Sequence, residues 1–192
     1  MRGRPFPPKF AAMVLTFRNS APAKNSRRCD PDPSDVEKIA RTAALHAGRG
    51  ETLEALNLYQ LALLTDESRP EIWFSYGSLQ RRLGMHADAV ESFEFALRQD
   101  PALYAARYSL ARLLCDMGHP LEALSQFRLV TRQRPAYVPA WRYLVQLTWA
   151  VGNPLEAQRL AREALTHAPA DGELEALLQR IVQGDGEIGD AA

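Results

Sequence analysis

Gly50, Gly84, Gly118 and Gly152 stand 34 residues apart, with nothing inserted or deleted between them. Five residues after each comes an alanine (Ala55, Ala89, Ala123, Ala157), and the residue before each alanine is an acid (Glu54, Asp88, Glu122, Glu156). A period held that strictly makes the chain an array of one repeated unit, stacked because a single unit cannot bury its own apolar face. Only residues 1–35 and 172–192 lie outside the array, too few for a catalytic domain.

Framed from Val36, Pro70, Tyr104 and Val138, the units are 36–69, 70–103, 104–137 and 138–171. Each predicts two amphipathic helices. Helix A covers roughly the first fourteen residues, and helix B runs from about the seventeenth to the thirty-first. In the second unit Ile72, Trp73, Tyr76, Leu79 and Leu83 have the three-and-four spacing of one buried stripe; Ala89, Val90, Phe93, Ala96 and Leu97 repeat it. The tenth position is leucine every time: Leu45, Leu79, Leu113 and Leu147. The repeated glycine is expected just past helix A in the left-handed conformation, which costs a residue with a Cβ roughly 1–2 kcal/mol. Helix B then restarts at once. Pro120 and Pro154 suit the first helical position, and Asn153 with Glu156 has capping-box spacing. The strings Pro-Leu-Glu-Ala are therefore helix punctuation rather than a catalytic carboxylate set. The alanines mark close helix crossings, where a larger side chain would overpack.

These residues resemble the tetratricopeptide-repeat signature, W-x2-L-G-x2-Y followed by A-x3-F-x2-A and a late proline. The second unit supplies Trp73, Tyr76, Gly77, Ala89, Phe93, Ala96 and Pro101. The third supplies Leu110, Ala111, Leu114, Ala123, Phe127 and Pro135, with Arg107 where tryptophan is expected. The fourth has Trp141, Leu144, Ala157, Ala164 and Pro169, with Ala161 in place of the usual aromatic. The first has Ile39, Thr42, Ala43, Ala55, Tyr59 and Ala62, with Glu67 in place of the proline. The resemblance covers about residues 36–171. It implies an all-α fold, an α-solenoid of four helix pairs in a right-handed superhelix. Residues 172–183 read as a capping helix, with Leu174, Leu177, Leu178 and Ile181 on one side, covering the open face of the last unit.

The flanks carry opposite charge. Residues 1–34 are basic and proline-rich, expected to be disordered or a weak targeting segment; residues 184–192 form an acidic tail. No run reaches the ~20 apolar residues of a membrane helix. The longest apolar stretch, Phe10 to Phe17, could serve as a short signal-peptide core within residues 1–23, and Met13 is an alternative start. The expected location is cytoplasmic, or periplasmic if that segment acts as a signal peptide. Arginine outnumbers lysine twenty to three, which associates with a GC-rich, bacterial genome. Formal net charge is zero, so the whole molecule exerts no long-range pull on nucleic acid or membrane.

Nothing in the sequence assembles chemistry. His46, His86, His119 and His167 fall at different repeat positions, and no metal-ligand spacing joins them to Cys29, Cys115 or the carboxylates. Two cysteines this far apart read as unpaired thiols. No phosphate loop or nucleophile elbow is present. The expectations are no enzyme activity, no cofactor and no metal.

The resemblance further implies that helix A lines a concave surface through its positions two, five, nine and twelve. The first unit brings Glu37, Ala40, Ala44 and Ala47, a nearly featureless entrance, and the second adds Glu71 beside its groove residues. The expected partner-binding groove is Phe74, Ser78, Arg81, Tyr108, Arg112, Cys115, Arg142, Gln146 and Trp149. Arginines pair carboxylates in forked geometry and aromatics add apolar area, so the expected ligand is an extended protein segment with acidic and apolar residues. The leading expectation is a non-catalytic protein–protein interaction adaptor. The alternative is a structural scaffold or self-assembling component of an envelope or secretion assembly. A single-stranded RNA binder is a third class, disfavoured by a repeat region without net positive charge.

Overall fold

The computed structural model describes residues 33–184. The basic segment, the signal-like stretch, Met13, Cys29 and the acidic tail from residue 185 lie outside the described residues. Those described form nine α-helices: α1 Pro33–Gly48, α2 Thr52–Thr65, α3 Pro70–Arg82, α4 His86–Gln99, α5 Tyr104–Asp116, α6 Pro120–Gln133, α7 Val138–Ala150, α8 Pro154–His167 and α9 Gly172–Gln183. The chain divides into two compact units, one ending at Phe95 and the other starting at Ala96, within α4.

Expected and observed boundaries agree to a residue or two except at the start. There α1 begins at Pro33 instead of Val36, because a proline at a first helical position sacrifices no hydrogen bond. All four repeat glycines are left-handed, with φ of 81°, 74°, 80° and 85°. A Cβ built on Gly84 would meet nothing within 4 Å, so the only obstacle to a side chain there is the backbone. Gly84→Val is expected to lower stability by about 1–2 kcal/mol, read as a lower urea midpoint. Gly84→Asn, which tolerates that conformation, should recover most of it.

In the first unit α1 packs on α2 and α2 on α3. Ala55, Ala62, Ala43 and Val36 are fully buried. The stripe of α3 behaves as its spacing predicts, with Trp73 1% and Leu79 3% exposed. Gly77 fixes the closeness of α3 and α4, since a Cβ there would sit 3.0 Å from Ser92 Cβ and 3.1 Å from the Phe93 ring. Beside it the Ser92 hydroxyl donates to Gln80 Oε1 at 2.6 Å, pairing two buried polar groups. Leu45 breaks the pattern: the same repeat position that is buried at Leu79 and Leu113 is 59% exposed there. Among the described residues, no helix precedes α1 to cover it.

In the second unit α5 packs on α6, α6 on α7, α7 on α8, and α9 on both α8 and α7. Ala123, Ala157, Ala161 and Ala164 are fully buried. Asn153 accepts the Glu156 N–H at 3.3 Å. Only that half of the capping box forms, because the Asn153 N–H goes to the Thr148 carbonyl and the Glu156 carboxylate to Arg159. The final helix spans the expected residues: the Asp171 side chain caps it by accepting the Leu174 N–H, and left-handed Gly184 ends it. Leu174, Leu177 and Ile181 are buried as expected, while Leu178 is only half-buried.

Candidate functional site

Three of the nine groove residues belong to the first unit. Phe74, Ser78 and Arg81 sit half-buried along α3. The Phe74 ring lies 6.1 Å from that of Phe93. Ser78 spends its hydroxyl on the Phe74 carbonyl of its own helix, at 2.8 Å. The stretch expected to be featureless is hollow instead. Ala40 and Ala44 of α1, with Ile72 and Ser75 of α3, line a space of about 290 Å³ edged by Glu37 and Glu71. Small side chains make room as well as smoothness.

The other six lie in the second unit, on α5 and α7. Tyr108 stands edge-on to Phe127, Tyr137 and Tyr143, at 5.8, 5.1 and 6.0 Å. Tyr143 stacks flat on Phe127, 5.2 Å away. The Arg112 guanidinium lies 5.6 Å from the Tyr143 ring centroid, within cation–π range. Arg134 lies likewise over Tyr104 at 5.0 Å. Gln146 is exposed, and Trp149 is half-buried under the Arg180 guanidinium, 5.4 Å away. Burial pushes the Cys115 thiol above its ordinary value, which favours the protonated form over the thiolate. Tyr143, Tyr137 and Tyr104 are not among the residues that one helix face at a time would select. Tyr143 directly follows Arg142, and the other two sit at the unit junction.

Arg142 is engaged elsewhere. Its Nη2 donates to Asp171 Oδ2 at 2.6 Å and its Nη1 to Glu173, so both carboxylates at the start of α9 hold it. With both terminal nitrogens held by acids and its Nε buried without a partner, this guanidinium has little left for a ligand's carboxylate. The hydrogen bond from Arg142, assisted by the backbone N–H of Leu174, holds the Asp171 carboxyl below its ordinary value. A carboxyl depressed on folding contributes stability that is complete above roughly pH 4 and lost as the pH falls through its folded value. Asp171→Asn is therefore expected to flatten the acid limb of the melting temperature while leaving neutral-pH helix content intact. An unchanged acid limb in circular dichroism melts would break the assignment.

No group of three histidine, cysteine, aspartate or glutamate side chains among the described residues is placed to hold a metal. His46 pairs with Glu51, His119 lies 3.5 Å from Glu122, and His167 stacks on Trp141.

One junction contact repeats. The Trp73 indole N–H donates to the Glu67 carbonyl at 2.8 Å, and the Trp141 indole N–H to the Pro135 carbonyl at 2.8 Å. Where the signature fails, Arg107 Nη2 donates to the Pro101 carbonyl at 2.9 Å. The three acceptors are 34 residues apart, each six residues before its donor. Residues 80–148, which span the irregular third unit, match the family profile described as tetratricopeptide repeat. Over those residues the chain carries tetratricopeptide repeats.

Solved structures share the fold. MamA from Desulfovibrio magneticus RS-1, from residue 41 to its end, superposes with a TM-score of 0.68 at 20% identity, covering 78% of this chain and 85% of that one. YrrB, described as a tetratricopeptide-repeat protein with an unusual peptide-binding site, gives 0.67 at 18% identity over 92% and 83%. A tetratricopeptide-repeat protein from Parabacteroides merdae ATCC 43184 gives 0.71 at 16% identity over 79% and 61%. At such identities the likeness is one of fold, an all-α repeat of the solenoid class. No curated protein matches the sequence. Tetratricopeptide-repeat proteins are generally non-catalytic adaptors and scaffolds for other proteins. No helix among the described residues is long and apolar enough to cross a membrane.

Proposed function

We propose that this tetratricopeptide-repeat protein is a non-catalytic adaptor that holds an extended segment of a partner protein, rich in acidic and apolar residues, on the α5–α7 face of its second unit. The observation that carries the reading is Arg112 lying over Tyr143, in a cluster with Tyr108 and Tyr137 that is only half-buried. Rings held rigid by their neighbours offer apolar area at little rotamer cost, and a guanidinium beside them can pair a carboxylate. YrrB, which shares the fold, is described as having a peptide-binding site. Gln146 and Trp149 extend the face along α7, and Arg142 ties α7 to the start of α9. Phe74, Ser78 and Arg81 form the corresponding face of α3 in the first unit.

Selection from a displayed library of random peptides tests this. Acidic peptides with interspersed apolar residues should be enriched, and Arg112→Glu should weaken the best by about 2–4 kcal/mol, as for an anchor near an interface centre. Its melting temperature should barely move, since Arg112 contributes nothing to the buried stripe. Arg98→Glu on α4 should change neither. Enrichment of basic peptides, or binding that survives Arg112→Glu and is lost in Arg98→Glu, would sink the reading.

A further inference from the structure

On the other side of α7, between α6 and α8, the second unit contains a cleft of about 350 Å³. The repeats differ at its lining. In the first unit Phe95 stacks on Trp73, with ring centroids 4.7 Å apart, and covers it. Two periods later the same positions carry Glu163 and Trp141. The Glu163 carboxylate pairs with Arg159 Nη1, 2.9 Å off, along the cleft wall, and His167 stacks on Trp141 instead. The cleft thus has Trp141 and Leu160, each 4% exposed, at its base. The facing wall has changed as well. Where α2 has Gln60 and Leu64, α6 has Arg128 and Arg132.

The charges in this cleft are not balanced. Arg159 is satisfied by Glu163 and by a two-point pair with Glu156, at 2.7 and 2.8 Å. Arg128 reaches Glu156 only at 3.9 Å, half-exposed, and Arg132 has no ion-pair partner among the described residues. An apolar floor under two loosely held guanidiniums matches one chemistry: a large apolar side chain inserted downward, with a carboxylate beside it at the rim.

We infer that this cleft is a second binding site, which receives an apolar side chain flanked by carboxylates on an extended segment of a partner protein. It is separate from the α5–α7 face and does not depend on that reading. An adaptor with both could hold two segments at once, one on each side of α7.

The test is a nuclear magnetic resonance titration of the full-length protein with the blocked tripeptide acetyl-Glu-Phe-Glu-amide, using acetyl-Lys-Phe-Lys-amide as control. The Trp141 indole N–H, assigned through Trp141→Phe, and the Leu160 methyls are the reporters. Saturable shifts at both are expected with the acidic peptide alone. Affinity should fall at least about tenfold in the Arg128→Gln/Arg132→Gln double variant. Both side chains are exposed, so the remaining spectrum should be unchanged. If the double variant does not fold, Arg132→Gln alone carries the comparison. Absent or non-saturating shifts, an equal response to the lysine peptide, or affinity indifferent to both substitutions would overturn the site. Shifts confined to Tyr143 and Arg112 would also overturn it, while leaving the α5–α7 reading standing.

Discussion

Trp73→Ala is expected to lower folding stability by about 3–5 kcal/mol, the range for removing a fully buried large aromatic. Trp73 is 1% exposed, stacked on Phe95 and edge-on to Tyr76 at 6.5 Å. The substitution also removes the donor to the Glu67 carbonyl. Trp73→Phe separates the two effects. It keeps most of the ring area and loses the N–H, at a cost of about 0.5–1.5 kcal/mol for an ordinary hydrogen bond. Urea unfolding followed by circular dichroism ranks the three proteins. A Trp73→Ala protein as stable as the parent but unable to bind a partner would make Trp73 a surface contact and displace the repeat frame.

Ending the chain at Asp171 should do comparable damage at the other terminus. Leu174, Leu177 and Ile181 are 0%, 6% and 3% exposed, and burying each such side chain is worth about 1.5–3 kcal/mol. Against that stands the entropy of ordering one short helix. Without α9, the apolar sides of α7 and α8 that it covers become exposed, and Arg142 loses Glu173. Expected outcomes are a lower unfolding midpoint, fraying from that end and aggregation at concentrations where the full chain stays in solution. A truncated protein with unchanged solubility and midpoint would show that α9 is not a cap.

Interactions repeated every 34 residues are legible in the sequence itself. Helix starts and stops, the left-handed turns, the buried alanines and the last helix follow from apolar spacing and backbone chemistry, and those are local. Partnerships made by long side chains across the array are not legible in that way. Nothing in the neighbourhood of Arg142 announces Asp171 and Glu173, which are 29 and 31 residues away and pair with it only because α9 starts beside α7. The aromatic cluster has the same origin: Tyr108, Tyr137 and Tyr143 come from three separate segments. Leu45 shows the converse error. A repeated residue keeps its repeated environment only where a neighbouring unit supplies it, and the first unit has none on that side among the described residues.

The junction bond at Arg107 bears on how degenerate repeats are recognised. What the Pro101 carbonyl requires is an N–H delivered at a certain reach, and both an indole and a guanidinium deliver one. The two are unlike in every property that substitution scoring weighs, yet they are interchangeable at this point in space. A search that asked for donors of sufficient length, rather than for tryptophan, would find units that a residue-by-residue consensus passes over.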